Sequence, residues 1–217
     1  MANQDEIKGK FSVALGLTDY VNPILYALTC LIIITNRDKI LSQPWTVVYI
    51  IGAALSIVFG LAIPTVKLLV GLGKMAFKLP VAFVVCVNCG IFLSGAALLA
   101  CVFSLGPWVP VVILLAAAAL LAGVYVMTGK FNHVAVLIGA AGYLMIYISL
   151  IAFSLRFNLV TPVLMYSLAI LLYLMLIGIG LKGDLKNARV HWVIEISNIL
   201  CQAMVAFGTL VLMTNIA

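Results

Sequence analysis

The 217 residues are 66% hydrophobic and 8% charged, with a mean hydropathy of +1.31. A soluble domain carries roughly 25% charged residues to cover its surface, so a water-soluble fold is excluded and lipid must be the solvent. The net charge of +6 comes from basic residues dispersed between apolar runs, a pattern that orients a chain in a bilayer and gives no reason to expect a nucleic-acid partner.

An outer-membrane barrel is excluded by pattern. Barrel strands alternate apolar and polar positions over about 10 residues, whereas runs such as VVILLAAAALLAGVYVM are continuously apolar. The leading segment MANQDEIKGK mixes two acids with two lysines, and no small-residue cleavage site follows. The first span is therefore expected to stay as an anchor rather than to be removed as a signal peptide.

A crossing needs roughly 20 apolar residues, and seven are expected. They run Phe11 to Thr35, Trp45 to Thr65, Leu79 to Leu105, Trp108 to Met127, His133 to Leu155, Val160 to Leu181 and His191 to Thr214. The expected fold is an all-α integral membrane protein, a seven-transmembrane-helix bundle forming one polytopic domain over residues 1–217. Trp45, Trp108 and Trp192 each stand at a span start, where amphipathic rings favour the headgroup layer.

Lysine and arginine counts set the orientation. Lys8, Lys10, Lys67, Lys74, Lys78, Lys130, Lys182, Lys186 and Arg189 fall on one side, nine against Arg37, Lys39 and Arg156 on the other. The positive-inside rule then places the N-terminus in the cytoplasm and the C-terminus outside.

Polar residues within the spans mark the candidate site. In the first span, Asp19, Asn22 and Tyr26 share a face at spacings of three and four. Pro23 has no N–H for the Asp19 carbonyl, so a kink or break is expected there. A freed carbonyl beside a carboxylate suits a cation or proton site; the bland reading is a kink satisfied by Thr18 or water, with Asp19 in a structural ion pair.

Between the second and third spans, VKLLVGLGKMAFKLP reads either as two helix ends joined by a glycine turn or as a short interfacial helix on anionic lipid. Its GLGK is not a phosphate-binding loop, because the G-x-x-x-x-G-K-[ST] spacing is missing. The third span carries Cys86 and Cys89 one turn apart, with Asn88 between them. No histidine accompanies the pair, so buried thiols serve as small hydrophobes, and Asn88 is the candidate for bonding a ligand or a neighbouring span. All five cysteines lie in apolar runs, which argues against a disulfide framework.

The fourth and sixth spans are apolar, with small residues in AAAALLAG and IGIG, and suit packing, lipid contact or a homo-oligomer interface. The fifth places Gly139, Tyr143 and Tyr147 on one face, to line a pocket or to fill the core. His133 is expected at the interface beside Lys130. The seventh is the most informative, with His191, Glu195, Asn198 and Gln202 spaced four, three and four along one face and Ile194, Ile196 and Ala203 opposite. Such a stripe either knits helices together or lines a cavity, and a carboxylate is the costlier choice for mere adhesion.

At about 1.5 Å rise per residue, Asp19, Asn88, Tyr143 and Asn198 lie roughly 12, 13, 15 and 10 Å into their spans. Four polar groups at one level suggest a shared cavity in the cytoplasmic half.

Polar groups in the first, third, fifth and seventh spans fit a three-plus-one-plus-three arrangement, with Asn88 and Asn198 equivalent. In architecture alone this resembles the SWEET and PQ-loop sugar and amino-acid transporters, and Pro23 stands where a hinge proline would. The fifth span has no proline and no PQ dipeptide is present, and fold analogy by itself gives no function.

The function expected from these residues is a transporter or permease for a small polar, cationic or zwitterionic solute, with proton coupling as an option the carboxylates allow. Its binding residues would be Asp19, Asn22, Asn88, Tyr143, His191, Glu195, Asn198 and Gln202, with no metal and no cofactor. An intramembrane lipid-modifying enzyme and a non-catalytic subunit or sensor are the alternatives. H-E-x-x-H and G-x-S-x-G motifs are both missing, which disfavours the enzyme. Short outer loops lean toward a bacterial cytoplasmic membrane.

Overall fold

The computed structural model describes residues 13–74, 81–106, 108–109, 112, 131–182 and 188–216. Among these the regular structure is entirely helical: α1 (Val13–Thr18), α2 (Val21–Thr35), α3 (Arg37–Ile40), α4 (Trp45–Gly71), α5 (Val81–Val102), α6 (Phe131–Arg156), α7 (Val160–Lys182) and α8 (Ala188–Asn215). Six stretches are long and apolar enough to cross a membrane: Val13–Thr35, Trp45–Gly71, Val81–Val102, Val134–Arg156, Val160–Ile179 and Val190–Asn215. The chain is thus an all-helical integral membrane protein. The expected fourth span, the possible interfacial helix beyond Lys74 and the His133 side chain fall outside the described residues.

Each long helix packs on the one before it, α2 on α4, α4 on α5, α5 on α6, α6 on α7 and α7 on α8, and α8 closes the ring against α2. Large apolar side chains face outward at helical spacing, among them Ile24, Leu28 and Leu31 on α2 and Val193, Ile196 and Leu200 on α8. Asp19, Ser56, Ser94, Gln202 and Thr209 face inward. Apolar outside and polar inside is what a lipid solvent demands.

The helices approach closely where side chains are small. A Cβ on Gly52 would lie 2.6 Å from the Gly90 carbonyl oxygen, and one on Gly142 2.6 Å from the Phe92 nitrogen. Ser56 Oγ, on α4, donates to the Gly52 and Val87 carbonyls at 2.9 and 3.3 Å. These contacts bind α4, α5 and α6 backbone to backbone.

Helix ends are closed locally. After α4, α5 and α6 the chain turns through left-handed residues at Gly73 (φ 68°), Ser104 (φ 49°) and Asn158 (φ 54°). In each case the next residue's N–H reaches the carbonyl five back: Lys74 to Leu69, Leu105 to Ala100 and Leu159 to Ser154. Side-chain cations also cap the ends of α8 and α5. Lys39 Nζ donates to the Met213 and Ile216 carbonyls at 3.1 and 2.6 Å, and Arg156 donates to the Val102 carbonyl. Each cation sits at the negative end of a helix dipole.

The contacts also fix relative direction. Between α5 and α6, Asn88 meets Gly139, Phe92 meets Gly142 and Val102 meets Arg156. Both numbers rise together, so these helices run parallel. Likewise Asn22 meets Glu195 and Lys39 meets Met213, so α2 and α8 run parallel. The pairs α4 with α5 and α7 with α8 run antiparallel, through Ser56 with Val87 and through Tyr166 with Thr209 and Cys201 with Ala169.

Candidate functional site

The first span is broken where its proline requires. α1 ends at Thr18 and α2 starts at Val21, leaving Asp19 and Tyr20 between them. Pro23 then falls in the first turn of α2, where a missing N–H costs little. Tyr20 N–H turns to the carbonyl three back, on Leu17, at 3.2 Å. The break aims the Asp19 carboxyl into the bundle, where it is 6% exposed.

Helix α4 runs past Thr65, where the second span was expected to end, to Gly71. Pro64 is accommodated within it, and the apolar residues Leu68, Leu69 and Val70 continue the helix. Lys67, counted from sequence among the loop cations, is therefore a helical residue facing the bundle. Its Nζ pairs with Asp19 Oδ2 and lies 3.8 Å from Glu195 Oε1. Asn22 Nδ2 donates to Glu195 Oε2 at 2.9 Å, and Lys67 stands against both carboxyl groups. Close by, the Tyr20 hydroxyl and Thr65 Oγ1 are 2.7 Å apart and tie the start of α2 to α4.

Asp19, Asn22, Lys67 and Glu195 line a cavity of about 210 Å³, together with Tyr26, Tyr143 and Asn198. Three of its lining groups hold buried polar atoms that no described residue bonds: Asp19 Oδ1, Asn22 Oδ1 and the hydroxyl of Tyr26, which is set beside Ser56 and Ser94. A buried acceptor without a partner costs about 1–3 kcal/mol. Two of the three can only accept, so the cavity calls for a donor. The charges point the same way, since two carboxylates face one ammonium and, when both are ionised, leave one negative charge over.

Past the cavity, aromatic side chains fill the middle of the described bundle. Tyr143 packs against Tyr26, Tyr173 and Tyr147, with ring centroids 6.1, 5.2 and 5.9 Å apart. Tyr147 and Leu150 are fully buried behind them. The cavity therefore lies at the Lys67 end of the bundle, and an aromatic plug separates it from the Arg156 end.

Of the eight residues proposed from sequence, the fold brings Asp19, Asn22, Tyr143, Glu195 and Asn198 to this cavity. Three lie elsewhere. Asn88 donates to the Val84 carbonyl at 2.7 Å and packs its amide oxygen on Gly139, so it serves the α5–α6 contact. Gln202 is 2% exposed and interacts with Tyr143 above the cavity. His191 stands one turn from Glu195 toward the start of α8 and does not line the space. Lys67 was missed.

No family model matches the chain, and no curated protein or solved structure is similar enough to it to show a relationship.

Proposed function

We propose that this chain is a transporter or permease for a small polar solute that is cationic or zwitterionic, with a proton or the solute itself supplying the positive charge its site lacks. One observation carries the reading: Asp19 and Glu195 converge, from the first and last spans, on a solvent-sized cavity whose lining still holds unbonded acceptors. A subunit that used its acids to grip a partner helix would turn them outward. An acid–base enzyme would want a histidine beside the carboxylates, and His191 is not at the cavity.

In this reading the cavity opens to the cytoplasm and the tyrosine plug closes the outer path, as in an inward-facing state. Reconstituted into liposomes, the protein is expected to take up solute, and Asp19→Asn and Glu195→Gln are each expected to cut initial uptake at least tenfold. Undiminished uptake in both variants would remove these residues from the function.

The same proposal holds that the chain crosses the membrane seven times, as three plus one plus three, with the N-terminus in the cytoplasm of a bacterial cell. Two parallel pairs support an odd number of crossings. Helices α5 and α6 run the same way, which supports a return crossing between them, and the Trp108 to Met127 stretch has the length and hydropathy for it. Single cysteines placed by Ser104→Cys and Asn158→Cys are both expected to react with a membrane-impermeant maleimide from outside intact cells. Labelling of the two from opposite sides would refute the seven-span reading.

A further inference from the structure

Resting on the transport reading, we infer that the cavity binds one small primary ammonium ion alongside Lys67, and that Lys67 limits the bound charge to a single positive unit. The geometry on either side of the empty space argues it. Lys67 is itself a primary ammonium, tethered by its own chain and seated on Asp19 Oδ2 within 3.8 Å of Glu195. It uses only one side of the Asp19 carboxylate. The other oxygen, Oδ1, is buried without a partner among the described residues, and so is Oδ1 of Asn22, three residues on in the first turn of α2.

An ammonium group has three donors, enough in number for both of these acceptors. A quaternary ammonium has the same charge and no N–H, so it leaves both acceptors unbonded. A divalent cation overshoots, because Lys67 already offsets one of the two carboxylates. Among the described residues the charged groups lining the cavity are Asp19 at the α1–α2 break, Lys67 on α4 and Glu195 on α8. The neutral polar lining comes from Asn22, Tyr26, Ser56, Tyr143 and Asn198. The cavity of about 210 Å³ admits a solute of a few heavy atoms beyond the ammonium.

The test is calorimetric titration of the purified full chain in detergent at neutral pH, with ethanolamine, tetramethylammonium and Ca²⁺ as probes. Ethanolamine is expected to bind at one site per chain, with tetramethylammonium at least tenfold weaker and Ca²⁺ unbound. Asp19→Asn is expected to weaken ethanolamine at least tenfold, and Lys67→Gln to gain Ca²⁺ binding. Should Lys67→Gln not yield folded protein, Asn22→Ala decides, with an expected loss of the preference for ethanolamine over tetramethylammonium. Equal binding of the two ammonium probes, or Ca²⁺ binding by the unaltered chain, overturns the inference. Liposome uptake keeps the two readings apart. Solute uptake driven by a pH gradient without ethanolamine binding overturns this inference and leaves the transporter, with the proton as the missing charge. Ethanolamine binding without any uptake upholds the site and overturns the transporter.

Discussion

Gly90→Ala is expected to destabilise the protein by about 3 kcal/mol, the upper part of the range for forcing a methyl group into a packed interior. The new Cβ would lie 2.6 Å from the Gly52 carbonyl oxygen and 2.8 Å from the Ser56 nitrogen. Both are backbone atoms of α4, so no rotamer change relieves the clash and the helices must move apart. Lys67 and Pro64 on α4 face Val87 and Ile91 on α5 across the cavity, so the separation also loosens the site. Gly178→Ala, in α7, supplies the control. Nothing lies within 4 Å of its added Cβ, and the better helix propensity of alanine is worth up to about 1 kcal/mol. Thermal unfolding in detergent should place Gly90→Ala well below the unaltered protein and Gly178→Ala level with it or above. Equal transitions for the two variants would mean that the glycine contacts do not hold α4 to α5.

The spans were legible because hydrocarbon length is a one-dimensional property. Of the seven expected spans, five match described helices to within a few residues, the fourth lies outside the described residues, and the second, Trp45–Gly71, runs longer than expected. A lysine after a proline reads as the end of a span, yet the apolar run LLV continues beyond Lys67. That continuation was the available signal that the lysine sits within the helix and needs a buried anion. Depth was legible too, since rise per residue is constant, and it grouped Asp19, Tyr143 and Asn198 correctly in level.

Direction around each helix is what a single sequence leaves open. Asn88 has the right depth but faces Gly139, because only glycine lets α6 come close enough to be packed by an amide. The α8 stripe from His191 to Gln202 spans about 16 Å at 1.5 Å per residue, longer than the cavity, so only its middle, Glu195 and Asn198, reaches the space. Which helices are neighbours decided these cases, and the parallel meeting of α5 with α6 and of α2 with α8 is a tertiary fact that no local pattern encodes.

Lys67→Met should cost about 3 kcal/mol of stability, because removing one partner of a buried ion pair strands the other. Here it strands two, since Asp19 and Glu195 are 6% and 12% exposed in their side chains and lose their shared cation. Adding Asp19→Asn to Lys67→Met should restore about 2 kcal/mol of that loss. The double variant buries one carboxylate instead of two, and Asn22 still donates to it. The two substitutions are therefore expected to be strongly non-additive, as for residues in direct contact. Denaturation of the two single variants and the double variant gives the coupling directly, and simple additivity would show that Lys67 and Asp19 do not depend on each other. Uptake separates stability from function in the same set of proteins. Because Asp19 is the proposed ligand for the transported charge, the double variant should be folded and inactive; a double variant that is both stable and fully active would reduce the Lys67–Asp19 pair to a structural clasp.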